Sequence, residues 1–199
     1  MLKHTKKIKK MYEDIQKSLF SMIPEAWDKL YLYASVIDMP EGNTTGELYF
    51  YYIPKGILKK KPINVYEIPN RFNIKEEEYL KIIKNLYEYI KAIRSEFKKS
   101  QIKDIWSNLT ITIKDSKFKV EYNFDDLLDN DFDSYERHII WRYKYLGIGE
   151  EQLPRKDKKI IERYINRPNM IGKDETFETG LYINEVRHNL IYDTNNEDK

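Results

Sequence analysis

Apolar and polar residues alternate strictly on both sides of a short polar turn, and this pattern constrains the fold more than any other feature. The apolar positions are Leu109, Ile111, Ile113, Phe118, Val120, Tyr122 and Phe124. Successive side chains of a strand point to opposite faces of a sheet, so the pattern predicts two strands with one buried and one solvated face. The turn over residues 114–117 joins them as an antiparallel hairpin.

Aromatic and branched apolar residues predict further strands before this hairpin. The segments 30–37 and 48–53 are rich in tyrosine, leucine and isoleucine, which is typical of strands. Residues 63–68 have a similar character, but Pro62 and Pro69 bound them. Proline cannot donate a hydrogen bond to a neighbouring strand, so we expect only a short or edge strand there.

Apolar residues at three- and four-residue spacing predict two long helices in the first half of the chain. The first covers residues 5–22, with Thr5 as its N-cap. The second covers residues 75–98, where Asn73 and Glu76 have the spacing of a capping pair. Their apolar stripes predict that both helices pack on the sheet.

Two more helices are predicted after the hairpin. Asp133 and Glu136 are spaced as a capping box, and Gly147 is placed to end the helix that they begin. Pro154 opens the next helix, and Pro168 ends it.

The order α-β-β-(β)-α-β-β-α-α predicts an α+β fold, with a mainly antiparallel sheet of four to five strands packed with helices. We expect one domain over residues 1–166. Residues 167–199 form a C-terminal extension, which we expect to be partly docked and disordered at its end.

Composition narrows the class of protein. The 199 residues are 41% hydrophobic, which suffices for one core, and the absence of cysteine excludes disulfides and thiolate chemistry. No run approaches the ~18 apolar residues that a membrane-spanning helix needs. No apolar segment follows the basic start of the chain, so we expect a cytoplasmic protein without a signal peptide or membrane contact.

Sequence motifs for catalysis are missing. His4, His138 and His188 stand in no recognisable spacing, and His138 is expected to be structural. The segment 129–133 begins like a calcium loop, but Ser134 and the residue at position 140 stand where glycine and a bidentate glutamate are needed. We therefore expect no catalytic residue, no cofactor and no bound metal.

The charge distribution offers the most specific functional signal. Seven acidic residues and no basic residue lie between Glu121 and Glu136, in a chain whose formal net charge is +2. This run is either a solvated loop with a helix cap or a polarised surface for a basic protein partner such as a nuclease. The candidate partner-binding residues are Asp125, Asp126, Asp129, Asp131 and Asp133.

Two alternative functions remain open at this level. A nucleic-acid-binding accessory protein would use its two lysine clusters, although 35 basic against 33 acidic residues argue against it. The clusters are Lys3, Lys6, Lys7, Lys9 and Lys10, and Lys55, Lys59, Lys60 and Lys61. A metal-dependent hydrolase would combine the Asp129–Asp133 cluster with His138, but no credible ligand set is present.

Five segments together resemble a known family. They are MIPEAWDKLYLYASV (22–36), GELYFYY (46–52), IWSNLTITI (105–113), KFKVEYNFDDL (117–127) and ERHIIWRYKYLGI (136–148). The chain resembles the YezG/EsaG-type immunity (antitoxin) family of Gram-positive bacteria from about residue 12 to residue 165. The resemblance implies a cytoplasmic, non-enzymatic protein that binds and neutralises a nuclease toxin exported by a type VII secretion system.

The sequence departs from the family pattern at two places. The lysine-rich stretch over residues 55–61 is longer than expected, and the tail over residues 168–199 extends past the usual end. The resemblance does not name the toxin, and it leaves homo-oligomerisation open.

Overall fold

A computed structural model describes residues 5–56, 61–100, 104–167 and 174–180. Its helices are α1 (Lys6–Met22), α2 (Ile68–Phe72), α3 (Glu76–Lys99), α4 (Ser134–Leu146) and α5 (Arg155–Ile165). Its strands are β1 (Trp27–Ser35), β2 (Ile37–Asp38), β3 (Thr44–Thr45), β4 (Leu48–Pro54), β5 (Ile63–Asn64), β6 (Asn108–Lys114), β7 (Lys117–Asn123) and β8 (Asp174–Gly180). Within these residues, no helix is long and apolar enough to cross a bilayer.

An antiparallel sheet with the strand order β5-β4-β1-β6-β7-β8 forms the centre of the molecule. The strands β2 and β3 form a separate two-stranded sheet. The α+β prediction is confirmed, and the sheet has six strands because β8 pairs with β7 along its whole length. This strand lies inside the predicted C-terminal extension, while the boundary at residue 166 stays a prediction.

The larger core lies between one face of the sheet and the helices α1 and α3. Its fully buried members include Leu32, Phe50, Ile111 and Val120 of the sheet. The helices contribute Ile8, Ile15, Leu19, Leu86, Ile90 and Ile93. The apolar stripes predicted for both helices therefore face the sheet, where burying each large side chain contributes about 1.5–3 kcal/mol.

The predicted hairpin is confirmed as β6 and β7. Its turn residues Asp115 and Ser116 have φ angles of 51° and 59°. Two consecutive left-handed residues are typical of the type I′ turn, whose twist matches that of the flanking strands.

The second face of the hairpin is solvated only in part. Thr112, Lys119 and Glu121 are partly exposed, as predicted, whereas α4 packs on Thr110, which is only 4% exposed. The hydroxyl of Thr110 accepts a hydrogen bond from Nε1 of Trp141 on α4 at 3.1 Å. The alternation in the sequence shows which side chains are polar, but it does not show which of them are exposed. A threonine can be buried when its hydroxyl forms a hydrogen bond.

The predicted strand over residues 63–68 is wrong beyond its second residue. Only Ile63 and Asn64 pair with β4, and residues 65–67 form a 3₁₀ turn that leads into α2. Oδ1 of Asn64 accepts a hydrogen bond from the backbone N–H of Tyr66 at 3.2 Å and so caps this turn. The side chain of Asn64 therefore ends the strand before Pro69 is reached.

The predicted N-cap of α3 is also wrong. Asn73 has a left-handed conformation with a φ of 52° and ends α2. Lys75 precedes α3 without a side-chain cap. Asparagine adopts the left-handed conformation more readily than most non-glycine residues. It is therefore common after the last residue of a helix as well as at an N-cap, and here it ends α2.

The other predicted helix ends within the described residues are confirmed. Oγ1 of Thr5 accepts a hydrogen bond from the N–H of Ile8 at 3.1 Å, and Gly147 ends α4 with a φ of 64°. The stop at Pro168 and the disordered chain end lie outside the described residues.

Candidate partner-binding surface

The five candidate aspartates lie on the connection between β7 and α4, residues 124–133, which we call the acidic loop. Asp125, Asp126, Asp129, Asp131 and Asp133 are all exposed. Ten residues thus present five carboxylates to solvent. Such a cluster creates a locally negative potential.

Side chains fix the conformation of the first half of the acidic loop. Oδ1 of Asn123 accepts a hydrogen bond from the N–H of Asp125 at 2.9 Å. Oδ1 of Asp126 accepts from the N–H groups of Leu128 and Asp129 at 2.9 and 3.3 Å. These Asx turns satisfy backbone donors that no strand or helix pairs.

The second half of the acidic loop is fixed to α4. Asp133 and Glu136 form a complete capping box, and Oδ1 of Asn130 accepts from the N–H of Phe132 at 3.0 Å. A guanidinium nitrogen of Arg137 donates to the carbonyl oxygen of Phe132 at 2.9 Å. The loop is therefore a defined structure on the surface rather than an unstructured connection.

The five aspartates divide into two groups. The carboxylates of Asp126 and Asp133 hold the backbone, as described above. Within the described part of the chain, the carboxylates of Asp125, Asp129 and Asp131 accept no hydrogen bond and form no ion pair. These three carboxylates are therefore the stronger candidates for contact with a partner.

An exposed leucine stands among these acids, and the sequence analysis missed it. Leu127 is buried, whereas the side chain of Leu128 is 65% exposed. A large apolar side chain at the centre of a charged surface is typical of the anchors of protein interfaces. Its signal in the sequence is a leucine pair inside an acidic run, which does not say which leucine points outward.

Helix α4 packs on a tyrosine-rich face of the sheet. The ring of His138 stacks on Tyr49 at 4.0 Å between centroids, and its Nε2 lies 3.1 Å from the hydroxyl of Tyr51. Burial lowers the pKa of His138 to about 4. The positive charge of Arg142 also lowers this pKa, while the negative charge of Glu47 raises it in part. His138 is therefore neutral at pH 7 and joins α4 to the sheet.

An ion pair beside this contact also fixes the helix. A guanidinium nitrogen of Arg137 lies 3.2 Å from the carboxylate of Glu47, just before β4. The hydroxyl of Tyr49 donates to Glu47 at 2.7 Å. The helix that carries the end of the acidic loop thus has a fixed position relative to the sheet.

Two lysines of the first cluster form ion pairs with acidic residues in the structure. The ammonium of Lys7 lies 2.6 Å from Glu96, and that of Lys10 lies 3.0 Å from Glu13. Lys3, Lys59 and Lys60 lie outside the described residues. The described part of α1 is therefore a mixed-charge surface, which is not typical of a binder of bulk nucleic acid.

The proposed grouping of aspartates with His138 does not form a metal site. Among the residues that the structure describes, no three His, Cys, Asp or Glu side chains are arranged to hold a metal ion. His138 instead makes the contacts with Tyr49 and Tyr51 given above.

Comparison with known proteins decides the family. A family model described as immunity protein YezG-like matches residues 8–161. The chain belongs to the YezG-like immunity protein family. This finding confirms the resemblance seen in the sequence, and it fits the helices and sheet described above, most of which lie inside the matched range.

Three curated relatives are similar over nearly their whole lengths. Immunity protein YezG of Bacillus subtilis (strain 168) is 33% identical over 156 residues, which is 78% of this chain and 97% of the relative. Immunity protein YezG of Bacillus spizizenii is 30% identical over 162 residues, covering 81% and 94% of the two chains. Type VII secretion system protein EsaG of Staphylococcus aureus is 28% identical over 162 residues, covering 80% and 94%.

Proposed function

We propose that this member of the YezG-like family binds a secreted nuclease toxin of a type VII secretion system and neutralises it by protein–protein contact, without catalysing a reaction. Family membership and the similarity to type VII secretion system protein EsaG support the immunity role. The observation that carries the choice of a nuclease is the exposed, conformationally fixed acidic loop. The cytoplasmic location stays a prediction.

Electrostatic complementarity gives the mechanism. A nuclease must attract the phosphates of its substrate, so its active face carries basic residues. Asp125, Asp129 and Asp131 present unpaired carboxylates to such a face. Opposite charges accelerate association and set the orientation of the two proteins, and the bound immunity protein then keeps nucleic acid out.

The fixed conformation of the acidic loop contributes to affinity. Because Asp126 and Asp133 already hold the backbone, little conformational entropy is lost when the loop binds. The exposed side chain of Leu128 adds an apolar contact at the centre of the charged surface. The loop therefore combines charge that steers association with an apolar group that slows dissociation.

The test uses charge reversal at positions without a structural role. Asp129→Lys and Asp131→Lys are combined, while Asp133 is left unchanged because it caps α4. The control combines Glu41→Lys and Glu88→Lys, which changes the net charge equally at exposed positions outside the acidic loop. Association with the purified nuclease domain is measured by stopped flow at several salt concentrations.

We expect the loop variant to associate about tenfold more slowly at low salt, with a flatter salt dependence, because its steering field is reversed. The control variant should keep the rate of the parent protein within about twofold. Equal association rates for both variants would contradict the proposed contact surface. Direct binding of DNA by the immunity protein alone, measured by gel shift, would favour the nucleic-acid-binding alternative instead.

A further inference from the structure

A cavity of about 140 Å³ lies between the acidic loop, the hairpin and α4. Cavities of this size hold a group as large as benzene. Its lining includes Tyr33, Asn108, Asp125, Trp141 and Tyr145. It thus combines aromatic walls with polar groups directly beside the proposed contact surface.

Asn108 offers an oxygen acceptor to this cavity. The N–H of Asp125 donates to Asn123, which identifies the accepting atom of Asn123 as Oδ1. The same atom lies 3.1 Å from the amide of Asn108, so Asn108 must present its Nδ2 there. Its Oδ1 is then directed away from this contact, and it accepts no hydrogen bond within the described residues although Asn108 is only 9% exposed.

Asp125 supplies a second acceptor at the same cavity. Its backbone N–H is bonded to Asn123, while its exposed carboxylate has no partner in the described part of the chain. Two residues of the lining therefore carry a side-chain oxygen that accepts no hydrogen bond within the described residues. A ligand that donates several hydrogen bonds would satisfy both acceptors.

The cations of the lining already have partners. Arg137 is bonded to Glu47 and to the carbonyl of Phe132. The ammonium of Lys144 lies 5.3 Å from the ring centre of Tyr145, and the guanidinium of Arg167 lies 4.6 Å from that of Tyr164. A carboxylate is the rival occupant that these cations would favour. Nε of Arg137 also has no hydrogen-bond partner in the described part of the chain, but this atom is buried, whereas the carboxylate of Asp125 is exposed.

We propose that this cavity receives an arginine side chain of the nuclease partner. The planar guanidinium donates to the carboxylate of Asp125 and to Oδ1 of Asn108, and it packs against the aromatic wall that includes Trp141. Lysine matches this site less well, because its ammonium is a point charge that cannot bridge two acceptors in a plane. The inference rests on the proposed function for the source of the arginine, while the cavity can be tested without the toxin.

The first experiment titrates the isotope-labelled protein with N-acetyl-L-arginine N-methylamide and follows the indole N–H of Trp141 and the side-chain amide of Asn108 by NMR. The lysine and glutamate analogues are titrated in parallel. We expect saturable shifts of both signals with a dissociation constant on the order of millimolar for the arginine compound. The lysine compound should bind about fivefold more weakly.

The variant Asp125→Asn removes the charge and retains the shape of the side chain. Asp131→Asn is the matched control, because Asp131 lies on the same loop outside the cavity. Asp125→Asn should weaken binding of the arginine compound about fivefold or more, whereas Asp131→Asn should leave it unchanged. Tighter binding of the glutamate compound, absence of localised shifts, or an Asp125→Asn variant that binds normally would each overturn the proposal.

A second experiment places the site in the complex. With the nuclease domain, Asp125→Asn should raise the dissociation rate about tenfold, whereas Asp131→Asn should change chiefly the association rate. The two proposals fail separately. If the unmodified protein does not bind the nuclease domain, the proposed function is wrong. The titration with the arginine compound decides separately whether the cavity selects a guanidinium.

Discussion

The indole N–H of Trp141 on α4 donates to the hydroxyl of Thr110 on β6 at 3.1 Å, at a position where both residues are buried. This bond joins the helix that follows the acidic loop to the central sheet. The position of the loop relative to the rest of the molecule therefore depends on a contact between residues 31 positions apart in the chain.

Removing the acceptor of this bond should destabilise the fold. We expect Thr110→Val to lower the free energy of unfolding by about 1–3 kcal/mol, because it leaves the buried indole N–H without an acceptor. Thr112→Val is the control, since Thr112 lies on the same strand and face, is less buried and makes no comparable bond within the described residues. Urea unfolding of both variants measures the difference, and equal stabilities would show that the Trp141 bond contributes nothing.

The capping box of α4 gives a second prediction. Asp133→Ala should cost about 1 kcal/mol of stability, because the N–H of Glu136 loses its acceptor. Asp133→Ser should restore most of this loss, and Asp131→Ala should change stability by less than about 0.5 kcal/mol. Chemical denaturation separates these cases. An Asp131→Ala variant as unstable as Asp133→Ala would contradict the division of the aspartates into structural and free groups.

Gly46 is expected to tolerate no side chain. A Cβ atom there would overlap the carbonyl oxygen of Ser35 and the hydroxyl of Tyr87, and the carbonyl belongs to the backbone and cannot turn away. We expect Gly46→Ala to cost about 2–4 kcal/mol, measured by thermal or urea unfolding. Gly56→Ala is the control, because a Cβ at Gly56 meets no atom of the described residues within 4 Å. Similar stabilities of the two variants would show that the backbone can move enough at Gly46 to accept a Cβ atom without a loss of stability.

The buried histidine predicts how stability depends on pH. The pKa of His138 is about 4 in the folded protein against 6.5 for an unperturbed histidine, so the unfolded chain binds the proton more tightly. Its contribution is complete above pH 6.5 and is lost as the pH falls toward 4. Because the side chain is only partly buried, we expect a loss of about 1–2 kcal/mol rather than the full value of the shift.

Urea unfolding between pH 7 and pH 4 tests this prediction. The variant His138→Gln cannot titrate in this range, so its stability should fall less steeply with acid than that of the parent protein. Parallel pH profiles for the two proteins would show that His138 does not contribute.

Features fixed by neighbouring residues could be predicted from the sequence. The hairpin follows from alternation, and the capping box of α4 follows from the spacing of Asp133 and Glu136. The predicted cap at Asn73 failed because α2, whose end this residue forms, was not recognised. The 3₁₀ turn over residues 65–67 and the start of α2 replace most of a segment whose composition is typical of a strand.

Features that depend on distant contacts could not be predicted. The alternation of Thr110 with apolar residues does not show that α4 covers that face of the sheet. The acidic run identifies five aspartates, but only the backbone shows that Asp126 and Asp133 hold the loop while the others are free. The cavity lined by Asn108 and Trp141 likewise exists only once the hairpin, the loop and α4 have come together.

The most direct test of the central claim is co-purification of the tagged protein with nuclease domains of type VII secretion toxins, followed by an assay of DNA degradation with and without it. We expect a stable complex with one of these domains and degradation that stops at equimolar immunity protein. Free nuclease in every mixture, with degradation at the uninhibited rate across the whole panel, would contradict it.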